Sequence, residues 1–358
     1  MTRSLKLSLL AVTALCAVAA LLVVLGAGST DEPATATRPT VAKQARGRLG
    51  SGKPVVLAFG GDVHFEGILA TKLAASPSTM LAPIAPVLGQ ADLAVVNLET
   101  AVTDRGSAAA KTFTFRTPAT AFAALRGGSV DVASMANNHG LDYGGAGLRD
   151  SLAAAKRYRL PVVGIGRDDR QAYAPYRRTV DGQRIAVIGA TQVLDDHLIS
   201  AWTAGPRKPG LASAKDVPRL LRAVREARRT SDTVVVFLHW GIELMGCPSS
   251  DQRTLARQLT RAGADVVVGG HAHRLQGAGR MGGALVSYGL GNFVWYGTSE
   301  LSTRTGVLLV TVTGRRVDRY RWVPARIVDG VPRPLAGAEA RREASSWRAL
   351  RRCTGLKP

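Results

Sequence analysis

Five apolar runs in this chain each end in side chains that can bind a metal ion or carry a proton. VVLAFGGDVH ends in Asp62 and His64, and DLAVVNLE ends in Asn97 and Glu99. VDVASMANNH ends in Asn137, Asn138 and His139, with Asp142 just beyond. VVVFLHWGIE carries His239 and Glu243, and DVVVGGHAH carries His271 and His273. Of the six histidines, only His197 falls elsewhere. Random placement would scatter them, so one shared site is the economical reading.

The residue types define the chemistry. Carboxylates, neutral imidazoles and an amide oxygen suit divalent zinc, manganese or iron. Asp62, His64, Glu99, Asn138, His239, His271 and His273 are too many ligands for one tetrahedral ion. They are a suitable supply for two ions about 3.5–4 Å apart that share a bridging carboxylate. Clustering Asp62 with Glu99 in a crevice is costly without a cation, because like charges there cannot both stay ionised. Each residue alone has a plainer reading: Asp62 as a turn or cap residue after Gly60-Gly61, His239 as a core histidine, Glu99 as a loop acid, Asn138 as a turn former. His271-Ala272-His273 resists that reading, since alternation on an extended segment puts both imidazoles on one side. Glu66, Glu243 and Asp142 stand as partners for a His or an Arg.

The elements that must position these side chains are strands. Continuous β-branched runs at Val55–Phe59, Leu93–Val96, Val130–Met135, Val162–Ile165, Ile185–Ile188, Val234–Leu238, Val266–Val268 and Leu285–Tyr288 read as strands buried on both faces. Helices lie between them: one opened by Thr117-Pro118 and closed by Gly127, then Asp216–Arg229 and Asp251–Ala262. The order is α/β, with layered sheets covered by helices and ligands at the carboxyl ends of strands. Gly306–Thr313 and Arg319–Arg326 alternate as antiparallel strands do. Gly337–Arg352 reads as a basic terminal helix within a C-terminal tail, residues 337–358. With no internal repeat and no internal linker, residues 54–336 read as a single domain.

The chain has 358 residues and a net charge of +21, from 47 Lys+Arg against 26 Asp+Glu. With 46% hydrophobic residues, it is neither disordered nor a disulfide-dense miniprotein. Arg3 and Lys6 precede an uncharged, mostly apolar run from Leu7 to Gly28, long enough to cross a bilayer. Residues 1–28 are thus a signal peptide cut near Ala34-Thr35-Ala36 or a retained anchor, and residues 29–53 a flexible linker. Cys16 inside the run is core filling. Export makes nucleic acid a poor partner for the basic body and favours membrane, wall or capsule polyanions. In an oxidising compartment Cys247 and Cys353 can form one disulfide; the alternative is two free thiols.

At these residues the sequence resembles the CapA family of bacterial capsule (poly-γ-glutamate) synthesis proteins, a branch of the calcineurin-like metallophosphatase fold. The resemblance runs from about Pro54 to Trp295 and rests on GGD, NLE, ANNH followed by D-x-G, HWG-x-E, G-x-H, GLGNF at Gly289–Phe293 and KTFTFRTP at Lys111–Pro118. It implies a four-layer α-β-β-α sandwich, two divalent metal ions and a role in making or exporting poly-γ-glutamate, with capsule-synthesis membrane proteins as further partners. By the same resemblance, Asp62, His64 and His273 form the first metal set. Glu99 stands where a bridging Asp is usual, and Asn138, His239 and His271 form the second set. His139 is then the residue that protonates a leaving group or contacts the reacting anion. From their charge, Lys111 and Arg116 are either a clamp for an anionic substrate or surface charges flanking a strand. Two functions stay open: a metal-dependent hydrolase or transferase acting on an anionic polymer or phosphoester, and a non-catalytic, membrane-tethered polyanion-binding export factor.

Overall fold

In a computed structural model, residues 49–358 are described. The signal or anchor segment, Cys16 and nearly all of the expected linker lie outside the described residues. Among those residues, no helix is long and apolar enough to cross a membrane.

Two sheets face each other. The first has eight strands, in the order Val331–Pro334, Arg316–Val328, Arg304–Thr313, Val55–Val63, Leu93–Leu98, Val132–Ser134 and Val162–Val163, with Asn292–Val294 added along the end of Val55–Val63. The second has six, in the order Ala278–Met281, Ala284–Ser287, Val266–His271, Thr233–Trp240, Gln183–Thr191 and Tyr176–Val180. The central strands of both sheets run parallel. Antiparallel strands close both edges of the second sheet and one edge of the first, whose other edge, Val162–Val163, pairs parallel.

Period-two alternation builds the layers. Leu57 and Phe59 point between the sheets, where they join Val95, Val187, Val235, Phe237 and Val268 in one buried cluster. Ala58 and Val96 point outward, against Leu69, Phe122, Leu125 and Leu148 of the helices Ile68–Ala75, Ala121–Gly127 and Gly144–Arg157. On the far side, Val234, Val236 and Leu238 meet Leu220, Val224, Leu255 and Leu259 of the helices Val217–Thr230 and Ser250–Ala262. The result is a four-layer α-β-β-α sandwich. Helix boundaries follow their caps: Asp216 accepts the Arg219 N–H, and Ser249 and Gln252 form a capping box.

The C-terminal segment is part of the body. Its helix, Gly337–Ala349, buries Trp347 in a near-parallel stack on Trp322, with ring centroids 5.0 Å apart. A short turn, Leu350–Cys353, brings Cys353 into a disulfide with Cys247, and Lys357 bridges to Arg280.

Candidate metal centre

Parallel strands of both sheets deliver their carboxyl ends to one crevice. Asp62 closes Val55–Val63, Glu99 follows Leu93–Leu98, Asn138 and His139 follow Val132–Ser134, His239 lies near the end of Thr233–Trp240, and His271 ends Val266–His271. Two glycines let the strands approach. A Cβ on Gly61 would lie 1.9 Å from the Gly291 carbonyl oxygen, and one on Gly270 would lie 2.1 Å from Asp62 Oδ1. His271 and His273 both adopt positive φ, 87° and 50°, strained for non-glycine residues and typical of functional sites.

Ligand-type atoms converge in three overlapping groups: Glu99 with His239 and His271; Asp62 with Glu99 and His273; and Glu243 with His271 and His273. Asn138 joins through its Oδ1, 2.7 Å from His239 Nε2. His64 lies outside these groups, fully buried, its ring stacked on Phe115 and set edge-on to Trp295. Its Nδ1 accepts the Glu66 N–H, and its Nε2 has no partner.

A second layer aims the ligands. Asn97 donates to Asp62 Oδ1 at 2.8 Å and lies 3.1 Å from His239 Nδ1, while its own Oδ1 accepts from Asn137. Asp62 Oδ2 accepts the His271 N–H. His273 Nδ1 donates to Asn292 Oδ1 at 2.9 Å, which turns Nε2 toward Glu99, 3.9 Å from its Oε1, and the Asn292 amide donates to the Ser302 carbonyl. Asn97 and Asn137 already end apolar runs in the sequence, whereas Asn292, Trp295 and Phe115 had no ligand-type signal; only the GLGNF and KTFTFRTP segments pointed to them.

The fit to a cation rests on buried atoms without partners. Both Glu99 oxygens, His64 Nε2 and His271 Nδ1 are buried and make no hydrogen bond. Of these, the Glu99 oxygens and His271 Nδ1 can accept, and buried acceptors without partners are costly in a folded protein unless something electropositive meets them. His64, whose Nδ1 accepts from Glu66, instead carries its ring N–H on Nε2. The electrostatics agree. Burial drives the Glu99 carboxyl up to about 8, and the Asp62 charge pushes the same way. Burial pushes Asp62 up too, but the His273 hydrogen bond and the neighbouring imidazoles outweigh it and hold it at about 2. Burial lowers His64 and His239 to about 3 and takes His271 well below its ordinary value, which favours the neutral imidazole at all three. Burial also opposes a charge on His273, but Glu99 and Asp62 raise it to about 9. Gathering Asp62 and Glu99 in one buried place is thus costly for their charges, a cost that a divalent cation between them would offset.

Beside this cluster stands a separate dyad. His139 Nδ1 is 2.6 Å from Asp142 Oδ2, and Asp142 also accepts the Phe115 N–H. The Phe115 ring lies between His139 and His64, stacked on both. Lys111, expected to clamp a substrate, is turned inward: its ammonium bonds Asp142 and the Asn138 carbonyl and lies over Trp202. Arg116 is exposed and packs over Tyr143, while its backbone N–H donates to Glu66. His197 bonds the Ala110 carbonyl.

Fold and site together define an α-β-β-α sandwich with a histidine–carboxylate centre suited to divalent metal. Residues 56–296 match the family model "Bacterial capsule synthesis protein PGA_cap", and the chain belongs to that family. It is similar to "PGA biosynthesis protein CapA" of Bacillus subtilis, 31% identical over 260 residues, 70% of this chain and 66% of that one. It is likewise similar to "Capsule biosynthesis protein CapA" of Bacillus anthracis, 31% identical over 220 residues, covering 60% and 52%. The matches thus span between about half and two-thirds of these relatives' own lengths. Among solved structures, a hypothetical protein from Thermus thermophilus aligns at a TM-score of 0.48 and 18% identity, over 76% of this chain and 99% of that one.

Proposed function

We propose that this protein is an exported, metal-dependent hydrolase or transferase that acts on an anionic polymer, poly-γ-glutamate, or on a phosphoester during capsule synthesis. The observation that carries the reading is the set of orphaned acceptors, both Glu99 oxygens and His271 Nδ1, within the converging ligand groups beside the His139–Asp142 dyad. Two ions are the number that the ligand supply favours, held by Asp62, Glu99, Asn138, His239, His271 and His273, while His64, expected from the sequence as a ligand, stands outside the converging groups. When bound, divalent ions there supply Lewis acidity and a nucleophilic water at neutral pH. The protein's own residues do the rest. Asp142 accepts the His139 Nδ1–H and orients the ring, so that the imidazolium form carries its second proton on Nε2 and can give it to a leaving group. Lys111 holds Asp142 and the Asn138 carbonyl in place.

Export is supported by the Cys247–Cys353 disulfide, a bond at home in oxidising compartments. The polymer is suggested by the family and by the relatives' names. Metal analysis of the purified protein, followed by incubation with poly-γ-glutamate and with generic phosphoesters, tests the reading. Bound transition metal, with turnover that chelator abolishes and His139→Ala slows, is the expected result. Metal-free protein, or equal rates in His139→Ala, would overturn the catalytic assignment.

A second reading, a polyanion-binding export factor, draws on the arginines of the helix Val217–Thr230, among which Arg222, Arg225 and Arg229 are exposed on one side. Polymer binding of that kind weakens steeply with salt and survives chelation.

A further inference from the structure

Glu243 is the exposed member of the three ligand groups, beside a part-exposed His273. The other carboxylates of the cluster, Asp62 and Glu99, are fully buried. Gly241, at φ 97°, turns the chain immediately after the Thr233–Trp240 strand. The loop then folds back, and the Leu244 N–H donates to the Ala272 carbonyl at 2.8 Å, between His271 and His273. This brings a Glu243 oxygen within 4.8 Å of ligand nitrogens on both histidines. His271 is only 5% exposed, and its Nδ1 has no partner in the protein. Two further attachments fix the loop from its other end. Gln276 Nε2 donates to the carbonyls of Met245 and Cys247, and Cys247 is bonded to Cys353.

We propose that Glu243 is an additional metal ligand, a carboxylate that reaches the His271–His273 side of the centre from solvent and completes one ion's coordination there. The inference rests on the metal reading given above. A buried carboxylate such as Glu99 is locked in place, whereas an exposed one can swing away without leaving a buried charge behind. The surrounding attachments fix the loop backbone, so that the Glu243 carboxylate is held beside His271 and His273.

The test uses the oxidised full-length protein, stripped with chelator and titrated with Co(II) alone. Calorimetry reads affinity, and the visible absorption of cobalt reads coordination. Glu243→Gln keeps an oxygen acceptor but removes the charge, and Glu243→Ala removes both. Because Glu243 is exposed, both variants should melt within a few degrees of wild type. Loss of an outer partner of a metal ligand costs about 10–100-fold in affinity, so loss of a direct ligand should weaken one Co(II) by at least about tenfold. Both variants should also show an altered cobalt spectrum, and Glu243→Asp, with its shorter reach, should be intermediate. If wild type binds no Co(II), the metal reading fails, and this proposal with it. If wild type binds and Glu243→Gln matches it in affinity and spectrum, the ligand assignment falls while the metal reading stands. A normal Glu243→Gln beside a weakened Glu243→Ala would make Glu243 a hydrogen-bonding partner of the histidines, and that also overturns the assignment.

Discussion

The Lys111 ammonium lies 3.1 Å from Asp142 Oδ1, with the two side chains 7% and 0% exposed, and Asp142 at the same time accepts from His139. A cation read from sequence as a substrate clamp thus stabilises the residue that orients the proposed acid. Asp142 is the hub, because the Phe115 N–H, the Lys111 ammonium and His139 Nδ1 all end on its two oxygens.

This hub predicts strong coupling. Lys111→Met leaves a buried carboxylate short of its cation, and Asp142→Asn leaves a buried ammonium short of its anion. Each single change should cost roughly 3–5 kcal/mol, while the double variant should cost clearly less than their sum. Urea unfolding of the four proteins measures it. Additive losses would mean that the two groups do not depend on one another.

Asn97 predicts the metal's dependence on its outer layer. Its amide nitrogen reaches both Asp62 and His239, and its oxygen holds Asn137. Asn97→Ala should lower Co(II) or Mn(II) affinity about 10–100-fold without removing any ligand. An unchanged affinity in chelator competition would show that the strands alone aim Asp62 and His239.

Gly270 predicts a steric veto. A methyl group there would meet Asp62 Oδ1 at 2.1 Å, and the buried carboxylate has no room to retreat. Gly270→Ala should therefore abolish high-affinity metal binding. Gly283→Ala, whose added carbon meets nothing within 4 Å, should bind like wild type. Equal binding by both variants would mean that Asp62 is not needed where it stands.

Strand ends were legible in the sequence because buried parallel strands are written as unbroken β-branched runs, and the polar residue that follows each run must face the crevice. Val234–Leu238 and His239 illustrate this. Depth was not legible. Lys111 and Arg116 lie five residues apart in one motif, yet one is buried against Asp142 and the other is exposed over Tyr143. Only the tertiary path of a segment with little regular structure decides that. Nor was Asn292 legible as the His273 partner, because its role depends on the short strand Asn292–Val294 pairing beside Asp62. For the C-terminal helix, composition showed the charge. The apolar anchor Trp347 made no periodic pattern that could reveal docking onto Trp322.

Asp232 gives a pH test well away from the crevice. Its carboxylate takes two bonds from the Arg184 guanidinium and one from the Arg184 N–H, and the guanidinium pairing above all holds it below the usual carboxylate range. A group with a depressed folded pKa contributes stability above its unfolded value, about 3.9, and loses it as pH falls through the folded value. Asp232→Asn should therefore destabilise the protein at pH 7, and the gap should shrink below about pH 4. A gap that stays constant from pH 7 to pH 3 would count against the pairing.

Cys247 and Cys353 are 106 residues apart, and their disulfide joins the loop carrying Glu243 to the end of the C-terminal segment. Closing a loop of that length restricts the unfolded chain by about 4–5 kcal/mol in the chain-entropy account, an upper figure for a native crosslink. Folded-state contacts reinforce it, because the Arg253 guanidinium bonds the Cys353 carbonyl and Trp347 remains stacked on Trp322. Cys353→Ser should lower the melting temperature markedly while leaving the helix Gly337–Ala349 docked, so that Trp347 fluorescence stays native-like at 25 °C. Truncation before Gly337 removes that stack as well and should cost more than the serine variant. If the two variants melt together, the crosslink and not the tryptophan pair holds the segment. A melting temperature unmoved by Cys353→Ser would mean that the unfolded chain is already as restricted as the crosslink makes it.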